Sequence, residues 1–297
     1  MIKILLIGCL SILCVCCILN IMGNPCIRDN FEKSDLILDA HEDDRANKQL
    51  IPKHIMMTTH DKSLVPEQVY TPLKRYAIAN AKSIPYTIWD DTECIAFLKK
   101  YYKPIVLAKF HELTGAHKAD LFRYCYLYIK GGIYMDIKTK LTKPLDEMVD
   151  FNARGLMYTV LMPTVEQVGV ELAFRINSHN VPNYTLFKRG IYQGIIISSP
   201  GNYIFLKLIG MCLKTPLSAL KINYLLFVQQ AYQILKKNSK TNSLAPGLNK
   251  LHGIDCYLFQ EVLLGKCKNP DRYGFCSCIY DQKEKVCDTR YSDYPWK

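Results

Sequence analysis

An α/β fold, with a mixed sheet flanked by helices, is what this sequence predicts, on three observations. From residue 51 onward, short apolar runs bounded by turn residues alternate with stretches whose apolar residues recur at three- and four-residue spacing. One such stretch, Lys118 to Lys130, breaks at Gly131-Gly132 and passes at once into Ile133-Tyr134-Met135-Asp136-Ile137. Hydrophobic residues make up 49% of the 297, enough to bury one substantial core, so no second domain is needed.

At the amino terminus, Ile4 to Met22 is apolar except for Ser11 and Asn20. That is about 19 residues, or ~28 Å of helix, enough to cross a bilayer core. Lys3 and the free amino group precede it, which favours a short cytoplasmic tail and a lumenal body. Residues 1–23 are therefore expected to be a transmembrane signal anchor, giving a single-pass type II protein facing the lumen of the Golgi or endoplasmic reticulum. The competing reading is a cleaved signal peptide, against which Ile21-Met22-Gly23 is a poor small-x-small cleavage site. Residues 24–50 are charged and poor in aromatics and read as a stem, leaving 51–297 as the folded domain with a Cys-rich tail.

Within the domain, Ile51 to Thr59 reads as a strand, Pro66 to Lys82 as a helix interrupted near Pro72, and Tyr86 to Trp89 as a second strand. Asp91 to Tyr101 reads as a helix with an aspartate cap. In the Lys118–Lys130 helix, Leu121, Phe122, Cys125, Tyr128 and Ile129 share a buried face, while Asp120 and Arg123 lie on another. Glycine after it supplies the left-handed residue that ends a helix at least cost. The strand that follows places Asp136 at its carboxyl end, with Asp136 and Lys138 on one face by alternation. Further strands are expected at Gly155–Met162, Glu171–Ile176 and Tyr192–Ser198, and helices at Gly201–Leu213 and Tyr224–Lys236. Lys236 to Gly247, polar and ending in Pro-Gly, is the clearest loop.

The net charge of +11 suits a protein that handles anionic diphosphates or lies near anionic lipid. The basic residues are scattered and no nucleic-acid-binding motif accompanies them, so no nucleic-acid partner is expected. Of 13 cysteines, Cys9, Cys14, Cys16 and Cys17 fall in the apolar span. In a lumenal domain, disulfides are expected after Cys256; zinc held by Cys267, Cys276, Cys278 and Cys287 is the weaker alternative, because Cys-x-Cys is tighter than usual ligand spacing. Asn183-Tyr184-Thr185 is an Asn-x-Ser/Thr sequon.

Lys118-Ala119-Asp120-Leu121, Arg123-Tyr124, Gly131-Gly132-Ile133-Tyr134, Asp136 and Thr139 together resemble the glycosyltransferases whose sugar-binding region carries a DXD motif, the family 32 type that includes fungal α-mannosyltransferases and inositol-phosphoceramide mannosyltransferases. Ile51-Pro52-Lys53-His54-Ile55 and Tyr86-Thr87-Ile88-Trp89-Asp90-Asp91 extend the resemblance more loosely. Lys138 departs from the pattern, standing where the motif has its second aspartate.

The resemblance implies a GT-A fold and transfer of a hexose from a nucleotide-diphosphate sugar to a glycan or glycolipid hydroxyl, with retention of configuration. It implies catalytic roles for Asp136, Asp120 and Arg123, and donor contacts from Asp136, Lys138, Tyr134, Gly131, Gly132, Trp89 and Asp90. A plain ion pair worth ~0.3–0.5 kcal/mol is the alternative for Asp120 and Arg123. Asp91 serves equally well as a helix cap. A divalent cation, manganese or magnesium, would be held by Asp136 with His252 as a late ligand. Lys138 puts that cation in doubt, since its ammonium changes the local charge by two units and either substitutes for part of the metal's work on the diphosphate or pairs with Asp136 and spoils the site. The same substitution motivates the rival expectation, an inactive homologue that binds a glycan or nucleotide sugar.

Overall fold

The computed structural model describes residues 31–38, 50–65, 78–79, 82–164, 167, 189–264 and 276–289. The elements belong to one unit, Glu32–Lys297. The apolar span Ile4–Met22, the candidate strand Glu171–Ile176 and the sequon at Asn183 lie outside the described residues. Among the described residues no helix is long and apolar enough to cross a membrane.

The packed body reaches back into the segment expected to be a stem. Helix α1 (Lys33–Leu36) opens on a capping box between Glu32 and Asp35. Leu36 and Ile37 are buried, Ile37 bridges Tyr102, and the Lys103 amide donates to the Leu36 carbonyl at 2.9 Å.

Strand β1 (Ile55–Thr58) lies between β4 (Tyr86–Trp89) and β5 (Gly132–Met135), and all three run parallel. A short ribbon, β2 (Ile78–Ala79) with β3 (Lys82–Ser83), stands outside this sheet. That ribbon corrects the end of the helix expected to Lys82, whose residues 66–77 lie outside the described residues. Helix α2 (Asp91–Tyr101) matches its expected span, α3 (Pro104–Glu112) begins on a proline suited to the first helical position, and α4 (Gly115–Lys130) starts one turn before its apolar periodicity. Gly131 ends α4 with φ +64°, and a Cβ there would lie 2.6 Å from Pro200.

Beyond β5 the sheet continues as β8 (Ile191–Ser198), β7 (Leu156–Leu161), β10 (Asp255–Leu264), β11 (Cys276–Asp281), β12 (Glu284–Asp288) and β6 (Lys140–Leu141), with β9 (Gly247–Lys250) also on β10. Strand β8 is antiparallel to both β5 and β7, and β10 runs with β7. Helices α5 (Tyr203–Lys214), α6 (Leu217–Ile222) and α7 (Leu226–Asn238) complete the helical layer, with α5 packed on α4 and α7.

Only Asp136–Thr139 separates β5 from β6, yet β6 is the far edge of the sheet. The five Cα–Cα steps from Met135 to Lys140 reach no more than about 18 Å, so the sheet must curl until its last strands lie over the inner face of β5. One core results, in which Ile133, Ile197, Val160, Phe259, Ile279 and Cys287 meet Leu145 and Phe151 of the connection after β6.

Cys94, Cys125, Cys212, Cys256, Cys278 and Cys287 are buried free thiols, which corrects the expected disulfides as far as these residues go. Register gives the reason for the last two. Cys278 faces Asp288 while Cys287 faces Ile279, so the two thiols leave opposite faces of the sheet and can share neither a bond nor a zinc ion.

Candidate active site

Strands β4, β1 and β5 all end at one edge, and β8, running the other way, begins there. Asp136 is the first residue past β5. Its amide donates to the Gly194 carbonyl of β8 at 2.8 Å, and the Thr139 amide returns to the Asp136 carbonyl at 2.8 Å. Asp136 to Thr139 is thus a tight turn, which corrects the expected continuation of the strand: Ile137 and Lys138 sit in the turn, and Lys138 does not share a strand face with Asp136.

A buried hydrogen-bonded cluster holds the carboxylate. The Tyr134 hydroxyl donates to Asp136 Oδ1 at 2.7 Å and lies 3.4 Å from Thr58 Oγ1. Arg123 Nη2 is 3.6 Å from the same Oδ1 and 3.2 Å from Asp120 Oδ1. The guanidinium also donates to the carbonyls of Ala119 and Gln193, and it lies 4.1 Å from the Tyr134 ring. Gln193 is fixed in turn: its Oε1 accepts from the Tyr124 hydroxyl at 2.6 Å, and its Nε2 donates to the Ile191 carbonyl at 2.7 Å.

Exposure separates the roles. The side chains of Arg123 and Asp120 are 3% and 8% exposed, that of Asp136 21%. Arg123 and Asp120 therefore position Asp136 and do not open to solvent, while Asp136 presents itself at the edge. Burial pushes the Asp120 carboxyl up and the Arg123 guanidinium pulls it back. Burial also opposes the charge on Arg123, but Tyr134, Asp120 and Asp136 around it raise it above its ordinary value, so it stays a cation. Burial raises the Tyr134 phenol, which keeps it a donor to Asp136.

Other expected site residues fall elsewhere. Asp90 caps α2, its Oδ1 accepting from the Glu93 amide at 3.0 Å and its own amide donating to Glu93 at 3.1 Å, so the cap is Asp90 and not Asp91. Asp91 pairs with Lys118 at 2.7 Å. The Trp89 ring packs against Phe97, Phe122 and Tyr126 with centroids 5.5–5.7 Å away, and its indole Nε1 is buried with no hydrogen-bond partner among the described residues. Gly131 and Gly132 stand at the start of β5, the opposite edge from Asp136; a Cβ on Gly132 would lie 2.9 Å from the His54 carbonyl oxygen. Their glycine identity is explained by the helix stop and by close strand packing, and not by a donor.

His252 is exposed and precedes β10, its amide bonded to the Asn238 carbonyl at 2.9 Å. Since β10 runs with β5, the chain enters it at the edge where β5 begins. His252 and Asp136 are at opposite ends of the sheet and cannot bind one ion. Among the described residues no group of three His, Cys, Asp or Glu side chains is placed to hold a metal.

Three further groups lie at the carboxyl edge, of which sequence singled out only Thr139, as a motif residue. Thr139 Oγ1, the Tyr192 hydroxyl and Glu261 Oε2 are buried oxygens with no hydrogen-bond partner among the described residues. Gln193 was missed as well, although Gln193-Gly194 interrupts an apolar strand, a pattern that marks a bulge or close approach.

Comparison with known proteins falls on this part of the chain. Residues 53–154 match the family described as glycosyltransferase sugar-binding region containing DXD motif. These residues carry a glycosyltransferase sugar-binding region. Asp120, Arg123, Tyr134, Asp136 and Lys138 lie inside the sugar-binding region; Tyr192, Gln193 and Glu261 lie beyond it. The chain is 34% identical over 113 residues to the initiation-specific alpha-1,6-mannosyltransferase of Saccharomyces cerevisiae, covering 36% of this chain and 23% of that one. It is 29% identical over 129 residues to the mannosyl phosphorylinositol ceramide synthase SUR1 of the same yeast, covering 43% and 33%. With the inositol phosphoceramide mannosyltransferase 1 of Schizosaccharomyces pombe it shares 28% identity over 85 residues, 28% and 24% of the two chains. The chain thus spans about a quarter to a third of the length of these relatives.

Proposed function

We propose that the protein is a glycosyltransferase of GT-A type that moves a hexose from a nucleotide-diphosphate sugar to a glycan or glycolipid hydroxyl, with retention. The observation that carries this is the placement of Asp136: within the sugar-binding region, at the carboxyl end of β5, held by Tyr134 and the buried Arg123. The edge where parallel strands end is the usual place for a nucleotide in an open α/β sheet. The relatives named as mannosyltransferases make mannose the first donor sugar to test. Anchoring through residues 1–23, with the domain facing the Golgi or endoplasmic reticulum lumen, is part of the same proposal.

In this reading Asp136 accepts hydrogen bonds from the donor's sugar or ribose hydroxyls, with its geometry set beforehand by Tyr134 and Arg123. The described residues do not fit a resident divalent ion, because Asp136 stands without His252 and with Lys138 in the motif's second acidic position. A cation at the site would have to arrive with the diphosphate.

Lys138 also favours a second reading, donor binding without turnover. The two are separated by incubating the purified chain with GDP-mannose, UDP-glucose and UDP-galactose, with and without methyl α-D-mannopyranoside, and following nucleotide diphosphate release and glycoside formation. Release and transfer support the enzyme; saturable donor binding with neither supports the inactive homologue.

A further inference from the structure

We propose that Glu261, with Tyr192 beside it, recognises a hydroxyl of the sugar acceptor from the inner face of the curled sheet. The inference rests on the glycosyltransferase reading above and adds to it the side from which the acceptor is held. Glu261 lies on β10 opposite Ile279, facing the core, and is 5% exposed. Its Oε1 accepts from Ser277, while Oε2 has no partner among the described residues.

The Tyr192 hydroxyl is in the same condition. Its ring lies over Gly194, where a Cβ would stand 2.3 Å from the phenol oxygen, and the Gly194 carbonyl is the one that binds the Asp136 amide. The absent side chain at position 194 is what lets the phenol lie beside the Asp136 turn. Its environment includes the charges of both Asp136 and Glu261. The four-residue passage from β5 to β6 brings the far strands over β5, and Tyr192 packs against the same cluster as Ile133, Phe259 and Ile279.

A buried carboxylate oxygen and a buried phenol that lack partners are costly to fold, and such pairs persist where a ligand completes them. A carboxyl and a phenol within electrostatic reach of one another offer the acceptor and donor that sugar hydroxyls pair with. Burial pushes the Glu261 carboxyl up to about 7, so near neutrality it both accepts and donates. Its titratable neighbours are Cys278 of β11, Cys287 of β12 and Tyr192 of β8. With the donor at the carboxyl ends of β4, β1 and β5, as the glycosyltransferase reading has it, the β8-β7-β10 side is left to the acceptor.

The test uses the full-length protein with whichever of GDP-mannose, UDP-glucose or UDP-galactose it turns over, and methyl α-D-mannopyranoside as acceptor. Glu261→Leu is expected to raise the acceptor KM about 10- to 100-fold, the range for losing a hydrogen bond to a charged group, with donor KM within about twofold. Glu261→Gln keeps an amide oxygen and folds without the charge. It is expected to raise acceptor KM less, and to flatten the change in acceptor KM that the parent shows between about pH 6 and 8. Parent-like acceptor KM in both variants would overturn the inference and leave a buried water as the partner. Equal rises in donor and acceptor KM would overturn it too, by making Glu261 a structural residue. A parent that transfers nothing from any of the donors counts against the glycosyltransferase reading itself.

Discussion

Asp136 is accessible because the groups that hold it are not. Tyr134 donates to it from inside the sheet and the Arg123 guanidinium pairs with it at 3.6 Å, so the carboxylate meets the edge already oriented. Lys138, two residues on in the turn, replaces a carboxylate with an ammonium, and at ~4 Å and an effective dielectric near 20 one cation beside a phosphate charge is worth about 4 kcal/mol. Lys138→Ala is therefore expected to lose turnover that added manganese does not restore, and Lys138→Asp to make turnover depend on divalent ions, both read by donor release with and without chelator. Glu261 gives a pH prediction. Its carboxyl rises from the ordinary 4.5 to about 7 on folding. The folded state then holds the proton more tightly, so the stabilisation is complete below the unfolded value and is lost as pH climbs through the folded one. That loss is about 3 kcal/mol at ~1.4 kcal/mol per unit. Urea unfolding should show the parent weakening from pH 5 to pH 8 relative to Glu261→Gln. At this scale the sequence made Asp136 and Arg123 legible through a dense local motif, whereas Gln193, Tyr192 and Glu261 reach the site from strands far away in the chain, and no spacing reveals that.

Two helix ends fall where their boundary chemistry puts them. Helix α2 spans Asp91–Tyr101 because Asp90 and Glu93 close a capping box, and Asp90→Ala is expected to cost about 1 kcal/mol in thermal unfolding. Gly131 stops α4 in a left-handed conformation against Pro200 at 2.6 Å. Gly131→Ala should destabilise by more than the ~1–2 kcal/mol of the backbone term alone, since Pro200 cannot move aside as a flexible side chain would. Chemical denaturation of that variant, with unchanged donor affinity in the folded fraction, checks that the glycine is structural and not a donor contact. The strand expected to run on through Ile137 stopped at Met135 for a reason outside its own sequence. The Asp136 amide is taken by Gly194 of β8 and the chain turns there.

On the scale of the whole molecule, the parallel start and the helical cover were legible from alternating β and α periods, but the curl was not. It follows from β6 pairing with β12 across most of the sheet, a contact between residues 140–141 and 287–288 that no local pattern announces. The direction of β10, parallel to β5, puts His252 at the opposite end of the sheet from Asp136, so the expected metal pair fails. The central claim is that the Asp136 edge performs sugar transfer, and one comparison tests it most directly. Purified parent and Asp136→Asn are given the donor sugars, and nucleotide diphosphate release is measured alongside thermal unfolding. The account predicts release by the parent, a fall of about 100-fold or more in Asp136→Asn, the range for removing one preorganised electrostatic group, and closely similar unfolding of the two. Equal release by both proteins would contradict it.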